Sequence, residues 1–320
     1  MHVSLKNITK TYNDGKVLAV DGVSFEVKEG ELFGLIGPDG AGKTSIFRIL
    51  TTVLLADKGE ATVAGFDVVK DYKQIRNRVG YMPGKFSLYQ DLTVKENLDF
   101  FATVFGTTLD ANYDLIKDIY DQIKPFNDRR AGKLSGGMKQ KLALCCALIH
   151  KPEVLLLDEP TTGVDVVSRK EFWEMLKSLK KQGITILVST PYMDEANLCE
   201  RIALIQKGKI MSVDTPDHII NTFSTTLYQA KAENIYQLLT DIRQWSEVES
   251  CYAFGEYLHI TLKVKVPDGA ASLKAYAISK GHRNVVVEKI TPGIEDSFIR
   301  LMNEGAMDPE KGLKAERLTG

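Results

Sequence analysis

One stretch of eight residues restricts the fold and the chemistry of this chain more than any other. It fits the pattern G-x-x-x-x-G-K-[ST], and its members are Gly37, Pro38, Asp39, Gly40, Ala41, Gly42, Lys43 and Thr44. In such a loop the glycines let backbone N–H groups turn inward around phosphate, the lysine reaches the terminal phosphates and the hydroxyl meets Mg²⁺. An apolar run at 32–36 precedes the loop, and apolar residues at helical spacing follow it. This strand, loop and helix order favours a phosphate site over an ordinary glycine-rich turn.

Composition and charge limit the class of protein. The chain has 320 residues, 44% hydrophobic and 26% charged, which suits a globular protein of one large or two unequal domains. Its 41 lysines and arginines nearly match its 42 aspartates and glutamates, so the net charge of -1 gives no electrostatic case for a nucleic-acid partner. No apolar run approaches the roughly eighteen residues of a membrane span, and the first residues lack the pattern of a signal peptide. We therefore expect a soluble, intracellular protein.

The four cysteines are scattered, apart from the adjacent pair Cys145 and Cys146 inside an apolar run. This pattern is typical of buried free thiols rather than of disulfides. No set of cysteines and histidines has the spacing of a metal site.

The first 27 residues predict an antiparallel β layer that leads into the strand before the phosphate loop. Short alternating apolar runs between 3 and 27 are separated by turn residues. Tyr12 lies at a turn edge of this layer. Its ring is suited to stacking on an adenine base, and a half-buried tyrosine at a strand end is an equally good interpretation.

Helical spacing over 93–105 and 111–126 predicts a helical insert, at about 85–150, in an α/β core. Near the end of this insert, Ser135, Gly136 and Gly137 stand immediately before an apolar helix. Small residues at a helix start leave backbone N–H groups open, and the helix dipole favours an anion there. By itself the segment is better interpreted as a simple serine N-cap with glycines beside it, and only the other motifs of the chain favour the anion site.

A pair of carboxylates follows the apolar run at 154–157. Asp158 and Glu159 end this predicted strand, and the carboxyl ends of strands are where open α/β sheets place their ligands. One carboxylate can hold Mg²⁺ through its hydration shell, and the other can orient or deprotonate an attacking water. A surface turn is the less favoured interpretation, because four apolar residues lead directly into the pair. After a loop that ends at Asp165, Ser168 is predicted to cap the next helix.

Beyond about 222–226 the pattern indicates a second, smaller domain. The predicted order is β-α-β-β-α-β over 224–302, which suggests an α+β ferredoxin-like sandwich. The charged segment 303–320 is predicted to be a mobile tail.

The phosphate loop, the Ser135-Gly136-Gly137 segment, the strand ending in Asp158 and Glu159, and the loop with Asp165 occur in a fixed order. Together they closely resemble the nucleotide-binding subunit of ATP-binding cassette (ABC) transporters. The likeness covers about 3–223, and the C-terminal appendage resembles that of subunits serving ABC-2 type exporters. It implies an α/β fold: a P-loop NTPase cassette with a parallel core sheet, an antiparallel β layer and a helical insert, followed by the small domain.

The resemblance also implies roles for individual residues. Tyr12 would stack on the adenine of ATP, while Lys43, Ser45 and the loop amides would hold its phosphates. Thr44 and Asp158 would support Mg²⁺, and Glu159 would polarise the attacking water. The Ser135, Gly136 and Gly137 segment would contact ATP bound to an opposing subunit, with Asp165 at the seam. The implied partners are a second ATPase subunit and membrane permease subunits, which would keep the chain at the inner face of the cell membrane.

Two positions depart from the family pattern. Where the family usually has a catalytic glutamine this chain has Gly84, and where it usually has a histidine that contacts phosphate this chain has Pro191. Neither residue offers a polar side chain, and proline also lacks the backbone N–H. We therefore expect a weakened ATP site in this chain and a heterodimer in which its Ser135-Gly136-Gly137 segment completes a competent site. A second interpretation of Gly84 and Pro191 is harmless drift, in which Glu159 carries hydrolysis alone. The alternative function is an ATP-dependent dimerisation or regulatory module with little turnover.

Overall fold

The computed structural model describes residues 1–263 and 266–306, and side chains within them except at 304–306. Two compact units make up the described chain: the first contains residues 1–217 and returns at 301–306, and the second contains residues 218–300. The sequence places the domain boundary at 223/224. The described residues include no helix with the length and apolar character needed to cross a membrane. All four cysteines are free and buried, as the sequence predicts.

The first unit contains two sheets and a set of helices. Its strands are β1 (Val3–Tyr12), β2 (Val17–Val27), β3 (Leu32–Ile36), β4 (Lys58–Val63), β5 (Phe66–Asp67), β6 (Val79–Met82), β7 (Val154–Asp158), β8 (Thr185–Thr190), β9 (Arg201–Gln206) and β10 (Lys209–Asp214). Its α-helices are α1 (Lys43–Leu50), α2 (Tyr72–Arg76), α3 (Val94–Val104), α4 (Tyr113–Ile123), α5 (Gly136–Leu148) and α6 (Val166–Lys181). Short 3₁₀ turns lie at Asp110–Asn112, Lys124–Phe126, Ala131–Lys133 and Met193–Leu198.

The six-stranded core sheet has the order β10-β9-β3-β8-β7-β6. Its strands from β9 to β6 are parallel, and β10 closes the edge as an antiparallel hairpin with β9. Strands β3, β7 and β8 are buried along their whole length, as expected for parallel strands covered on both faces. Because parallel strands end at one edge, Ile36, Thr190, Asp158 and Met82 deliver the segments that follow them to the same side of the sheet.

The antiparallel layer has the order β2-β1-β4-β5. Helix α1 contacts β2 and β4 of this layer as well as β7 of the core sheet. Apolar residues from both sheets form one buried cluster with Ile46, Phe47, Ile49 and Leu50 of α1. The helix that follows the phosphate loop is therefore held on two sides, which fixes the position of the loop.

The insert predicted at about 85–150 is helical, and α3, α4 and α5 are its main elements. Helix α3 begins with a capping box, in which Thr93 accepts from the Glu96 amide and the Glu96 side chain accepts from the Thr93 amide. Helix α5 contacts β6, α3 and α4. The insert thus joins the core sheet through the helix that starts at Ser135.

A short helix, α7 (Pro216–Asn221), leads to the second unit. Its elements are β11 (Leu227–Lys231), α8 (Ile235–Arg243), β12 (Val248–Phe254), β13 (Tyr257–Leu262), α9 (Gly269–Ser279), β14 (Val286–Ile290) and the part of α10 (Ile294–Ala306) that ends at Arg300. The antiparallel sheet has the order β12-β13-β11-β14, which is the split β-α-β arrangement of a ferredoxin-like sandwich. The predicted fold class is therefore confirmed. Of the predicted tail, 307–320 lie outside the described residues.

Candidate functional site

The loop between β3 and α1 is shaped by contacts that only glycine permits at two positions. A Cβ on Gly37 would lie 2.2 Å from the carbonyl oxygen of Ile205 in β9. Gly42, the N-cap of α1, has a φ of 104° and would place a Cβ 2.3 Å from the carbonyl oxygen of Ala19. The Gly37 amide also donates to the carbonyl of Thr190 at the end of β8, at 3.2 Å. The loop is thus clamped to both strands that flank β3.

The Lys43 ammonium lies inside this loop. Lys43 is the first residue of α1 and is only 3% exposed. Its Nζ donates to the carbonyls of Gly37 at 2.7 Å and Pro38 at 3.0 Å, and it lies 3.1 Å from Oε1 of Glu159. A buried cation with these partners is compensated for its loss of hydration. The same geometry places positive charge at the helix start, where it can meet an anion.

The remaining loop residues surround this ammonium at the surface. Asp39 and Gly40 are exposed, whereas Thr44 and Ser45 are half-buried and Ala41 is buried. Tyr12, at the end of β1, is half-buried, and its hydroxyl lies 3.0 Å from Oγ of Ser45. The structure therefore brings Tyr12 to the start of α1. This neighbourhood agrees with either interpretation of its ring.

The end of β7 carries the paired carboxylates into the site. Asp158 is buried, and its Oδ1 accepts from the Ser189 hydroxyl at 2.6 Å. The Glu159 amide donates to the carbonyl of Ser189 at 3.1 Å and to its hydroxyl at 2.9 Å. Burial, together with the nearby charge of Asp158, raises the pKa of Tyr81 to about 12, so the phenol beside this pair stays protonated.

Glu159 has a φ of 50°, in the left-handed region that residues other than glycine rarely occupy. Such a conformation costs on the order of 1 kcal/mol and clusters at functional positions. In this conformation the Glu159 carboxylate pairs with Lys43. We regard the backbone outlier as an independent reason to treat Glu159 as a functional residue.

The two residues that depart from the family pattern flank this pair. A Cβ on Gly84 would lie 3.1 Å from the carbonyl oxygen of Asp158 and 3.7 Å from the Cβ of Glu159. Both Gly84 and Glu159 line a cavity of 140 Å³. Pro191 follows Thr190, the residue whose carbonyl receives the Gly37 amide. Across the sheet edge the order is therefore phosphate loop, Pro191, Glu159 and Gly84.

The Ser135, Gly136 and Gly137 segment lies at the start of α5. Ser135 caps this helix, and its hydroxyl accepts from the Met138 amide at 3.4 Å. A Cβ on Gly137 would lie 2.8 Å from the Ser168 hydroxyl, whereas one on Gly136 would have only ordinary contact with Gly163. Ser135 and Gly136 are exposed. The Gly163 carbonyl and the Ser168 side chain therefore lie beside the segment, and Gly136 also lines the cavity that contains Gly84 and Glu159.

The predicted cap of α6 is wrong. Asp165, not Ser168, is the N-cap, and its carboxylate accepts from the amides of Val167 at 3.1 Å and Ser168 at 3.0 Å. The hydrogen bond from the Ser168 amide is the main cause that lowers the pKa of Asp165. Asp165 therefore has a structural task at the position where the sequence predicts a subunit seam.

Sequence reasoning missed several residues that hold the site together. Ser189 and Thr190 end an apolar strand, and this signal was available in the sequence. The sequence alone does not identify Glu195 and Gln140, because their hydrogen-bond partners lie on other segments of the chain. The Gln140 amide donates to the carbonyl of Pro160, which ties α5 to the turn after Glu159.

Comparison with known proteins decides the family. The ABC transporter family model matches residues 20–162. The Nod factor export ATP-binding protein I of Burkholderia lata is 40% identical over 223 residues, which are 69% of this chain and 73% of that protein. The chain belongs to the ABC transporter family.

A second relative covers nearly all of this ABC family member. The probable multidrug ABC transporter ATP-binding protein YbhF of Escherichia coli is 37% identical over 318 residues, or 98% of this chain. The match covers 54% of YbhF, so the chain spans about half the length of that relative. A solved structure, the dimeric post-hydrolysis state of the ATP-binding cassette MJ0796 bound to ADP and Pi, superposes with a TM-score of 0.60. It has 26% sequence identity and covers 67% of this chain and 98% of its own. The fold of the first unit is accordingly that of a P-loop NTPase cassette.

Proposed function

We propose that this chain is an ATP-binding and ATP-hydrolysing subunit that powers an ABC exporter from the inner face of the cell membrane. The observation that carries the proposal is the convergence of Lys43, the phosphate-loop amides and Glu159 at one edge of the sheet. The relatives support it, because their names describe ATP-binding proteins of export and multidrug systems. The permease subunits with which it would work form the transport path, so this chain does not identify the cargo.

In the proposed site Lys43 and the loop amides bind the phosphates, with Ser45 at the start of α1, and Tyr12 stacks on the adenine. Glu159 accepts a proton from the attacking water or orients it. Its contact with Lys43, which in this proposal binds the terminal phosphate, supports this role. Because Glu159 already pairs with Lys43, bound nucleotide would compete with Glu159 for the ammonium.

The residues fit a magnesium ion that arrives with nucleotide. The described part of the chain has no group of three or more histidine, cysteine, aspartate or glutamate side chains arranged to hold a metal. Thr44 and Asp158 offer two oxygen ligands, which suits Mg²⁺ because this ion usually keeps waters and phosphate oxygens as its other ligands. When bound, the ion neutralises phosphate charge.

We further propose that the site of this chain hydrolyses ATP slowly. Its segment Ser135, Gly136 and Gly137, together with Asp165, would complete the site of a different ATPase subunit. The absence of polar side chains at Gly84 and Pro191 supports this, because both flank Glu159 or the phosphate loop. Loss of one transition-state contact typically costs on the order of a hundredfold in rate. A homodimer would contain two weakened sites, so a heterodimer is favoured.

Equilibrium binding and steady-state ATPase of the purified chain test these proposals. We expect MgATP to bind, Lys43→Ala to weaken binding at least tenfold, and turnover to be slow. The double substitution Gly84→Gln with Pro191→His should raise turnover about tenfold or more, once the backbone at residue 84 yields a few tenths of an ångström to the Asp158 carbonyl. Absence of MgATP binding would refute the nucleotide site. Ordinary transporter rates that Glu159→Gln abolishes would refute only the weakened site.

The same departures favour a second candidate function, a dimerisation or regulatory module in which ATP binding matters more than turnover. Purification from membranes separates the two. A transporter subunit should co-purify with a polytopic permease, and its ATPase should depend on that partner. A regulatory module should be recovered without a permease.

A further inference from the structure

Glu195 is a buried carboxylate that has no part in the proposed chemistry. It lies in the 3₁₀ turn Met193–Leu198 after β8 and is 1% exposed. Its Oε2 accepts from the hydroxyls of Thr190 at 2.5 Å and Thr161 at 3.1 Å, and its Oε1 accepts from Nε of Arg169 at 3.1 Å. Thr161 and Thr190 are buried as well. A single carboxylate therefore joins the end of β8, the loop after β7 and helix α6.

Each of the three donors to Glu195 begins one arm of a hydrogen-bond network. The first arm, through Thr190, leads to the phosphate loop. The Thr190 hydroxyl binds Glu195, and the carbonyl of the same residue accepts from the Gly37 amide. The Gly37 carbonyl in turn accepts a hydrogen bond from the Lys43 ammonium. Two hydrogen bonds, from the Thr190 hydroxyl to Glu195 and from the Gly37 amide to the Thr190 carbonyl, thus connect Glu195 with the first residue of the loop.

The second arm leads to Glu159. Thr161 lies two residues beyond it, in a turn closed by the hydrogen bond from the Thr162 amide to the Glu159 carbonyl, at 3.2 Å. The position of Thr161 therefore influences the backbone of Glu159, which already holds a left-handed conformation. The buried Glu195 holds this turn in place by accepting a hydrogen bond from the Thr161 hydroxyl.

The third arm leads to the start of α6. Arg169 lies in the first turn of this helix, and its amide donates to the carbonyl of Asp165 at 2.9 Å. Its guanidinium also pairs with Asp194 at 3.0 Å and stacks on the ring of Tyr192, 4.3 Å from the centroid. Because each donor of the buried carboxylate is itself held, the network has little freedom to rearrange without moving the segments that it joins.

We propose that Glu195 is a positioning residue that transmits occupancy of the phosphate loop to Glu159 and Asp165. The inference rests on the proposed binding of MgATP to that loop. Phosphate bound by the loop amides shifts Gly37 and therefore Thr190, and the shared carboxylate passes this shift to Thr161 and Arg169. Occupancy of the nucleotide site would in this way set the arrangement of the segment that faces a second subunit. A purely local clamp would stabilise the unit without linking the two segments.

Hydrogen–deuterium exchange of the full chain, with and without MgATP, tests the link without relying on turnover. In the wild type we expect MgATP to slow exchange at 37–44 and also at 159–168. Glu195→Gln keeps the shape of the side chain but removes its charge, and Thr161→Val removes one arm. Both variants should keep protection at 37–44 and an MgATP affinity within about threefold of wild type, and should lose at least half of the protection at 159–168.

Two controls make the result specific. Asp194→Asn changes the exposed partner of the same guanidinium and should behave as the wild type, and Thr161→Ser restores the hydroxyl and should restore the link. Full protection of 159–168 in both Glu195→Gln and Thr161→Val would overturn the inference, as would an equal loss in Asp194→Asn. If Glu195→Gln fails to fold, the Thr161→Val and Thr161→Ser pair decides alone. Absence of MgATP protection at 37–44 in the wild type would overturn the proposed nucleotide site, and the inference with it.

Discussion

The glycines of the phosphate loop serve different purposes, and matched substitutions separate them. A methyl group on Gly37 meets the Ile205 carbonyl at 2.2 Å, a backbone atom that cannot rotate away. A methyl group on Gly40 meets open space but has to adopt a φ of 76°. We expect Gly37→Ala to lower the free energy of unfolding by about 2–3 kcal/mol, as overpacking does, and Gly40→Ala by about 1 kcal/mol.

Urea unfolding of both variants, monitored by circular dichroism, measures this difference. The dependence of the free energy of unfolding on urea concentration should be the same in both variants, so that a difference in midpoint reports a difference in stability alone. Equal losses in the two variants would show that the loop tolerates a shift of β9, contrary to the packing argument.

Burial makes His150 a source of acid sensitivity. Its ring stacks on Phe105 with centroids 3.8 Å apart, and burial lowers the pKa of its imidazole to about 4. The unfolded chain, with a pKa near 6.5, holds more protons between these values, so stability is complete above pH 6.5 and falls as the pH drops toward 4. At pH 5 the loss is about 1–2 kcal/mol after allowance for partial exposure.

His150→Phe keeps the stacked ring and removes the titration. Comparison of urea midpoints at pH 7.5 and pH 5 should show a loss in the wild type that is larger by about 1–2 kcal/mol than the loss in the variant. The replacement itself need not be neutral, because only the difference between the two pH values is compared. Parallel pH dependence in both proteins would refute the assignment to His150.

At the residue scale, the sequence predicts the residues that carry the chemistry better than it predicts the residues that hold them in place. Lys43, Asp158 and Glu159 belong to local patterns whose spacing has a chemical reason, and the structure brings Lys43 and Glu159 together. Glu195 could not be found in this way, because its three donors come from segments that only the fold assembles. The left-handed backbone of Glu159 is likewise invisible in the sequence, since it depends on the bonds that Ser189 makes with its amide.

Helix α6 illustrates how an element boundary is misread. Val166 and Val167 form its first turn but are 77% and 68% exposed, so the apolar periodicity that marks the helix begins only at Phe172. A cap sought just before that pattern falls on Ser168 instead of Asp165. Because Val166 and Val167 do not follow the apolar pattern of the buried face, the sequence predicts the start of α6 about one turn too late.

The cap can be tested directly. Asp165→Ala should lower the urea midpoint, because two amides lose their acceptor, whereas Asp165→Asn should retain most of the stability and Ser168→Ala should change it little. Because the pKa of Asp165 is lowered in the folded protein, its contribution is present above the ordinary value of 3.8 and is lost as the pH falls through the lowered pKa. The difference between wild type and Asp165→Ala should therefore shrink at strongly acidic pH. A larger effect of Ser168→Ala than of Asp165→Ala would contradict the observed cap.

Strand order shows a second limit of sequence reasoning at this scale. Apolar runs predict that 32–36 and 154–157 are buried strands, and parallel strands place their carboxyl ends together. The sequence does not reveal that β8 lies between β3 and β7. That insertion is what brings Ser189 to Asp158 and Thr190 to Gly37, and so it creates the support of the site.

Two of the buried apolar clusters among the described residues lie in different compact units. One includes Leu187 of β8 and joins the core sheet, the antiparallel layer and α1, whereas the other includes Leu258 of β13 and joins the small sheet to α8 and α9. All members of each cluster lie within one compact unit. Because hydrophobic stabilisation is supplied by each cluster to its own unit, a cavity made in one should leave the packing of the other intact.

Leu258→Ala and Leu187→Ala form a matched pair for this argument, since both residues are fully buried in central strands. Each should cost about 2–5 kcal/mol in its own unit. Leu258→Ala should speed amide exchange in β11 to β14 and leave MgATP affinity within about twofold of wild type, whereas Leu187→Ala should speed exchange in β3, β7 and β8 and weaken MgATP binding. Calorimetric titration and segment-resolved exchange measure both effects. A large loss of MgATP affinity in Leu258→Ala would contradict the independence of the two clusters.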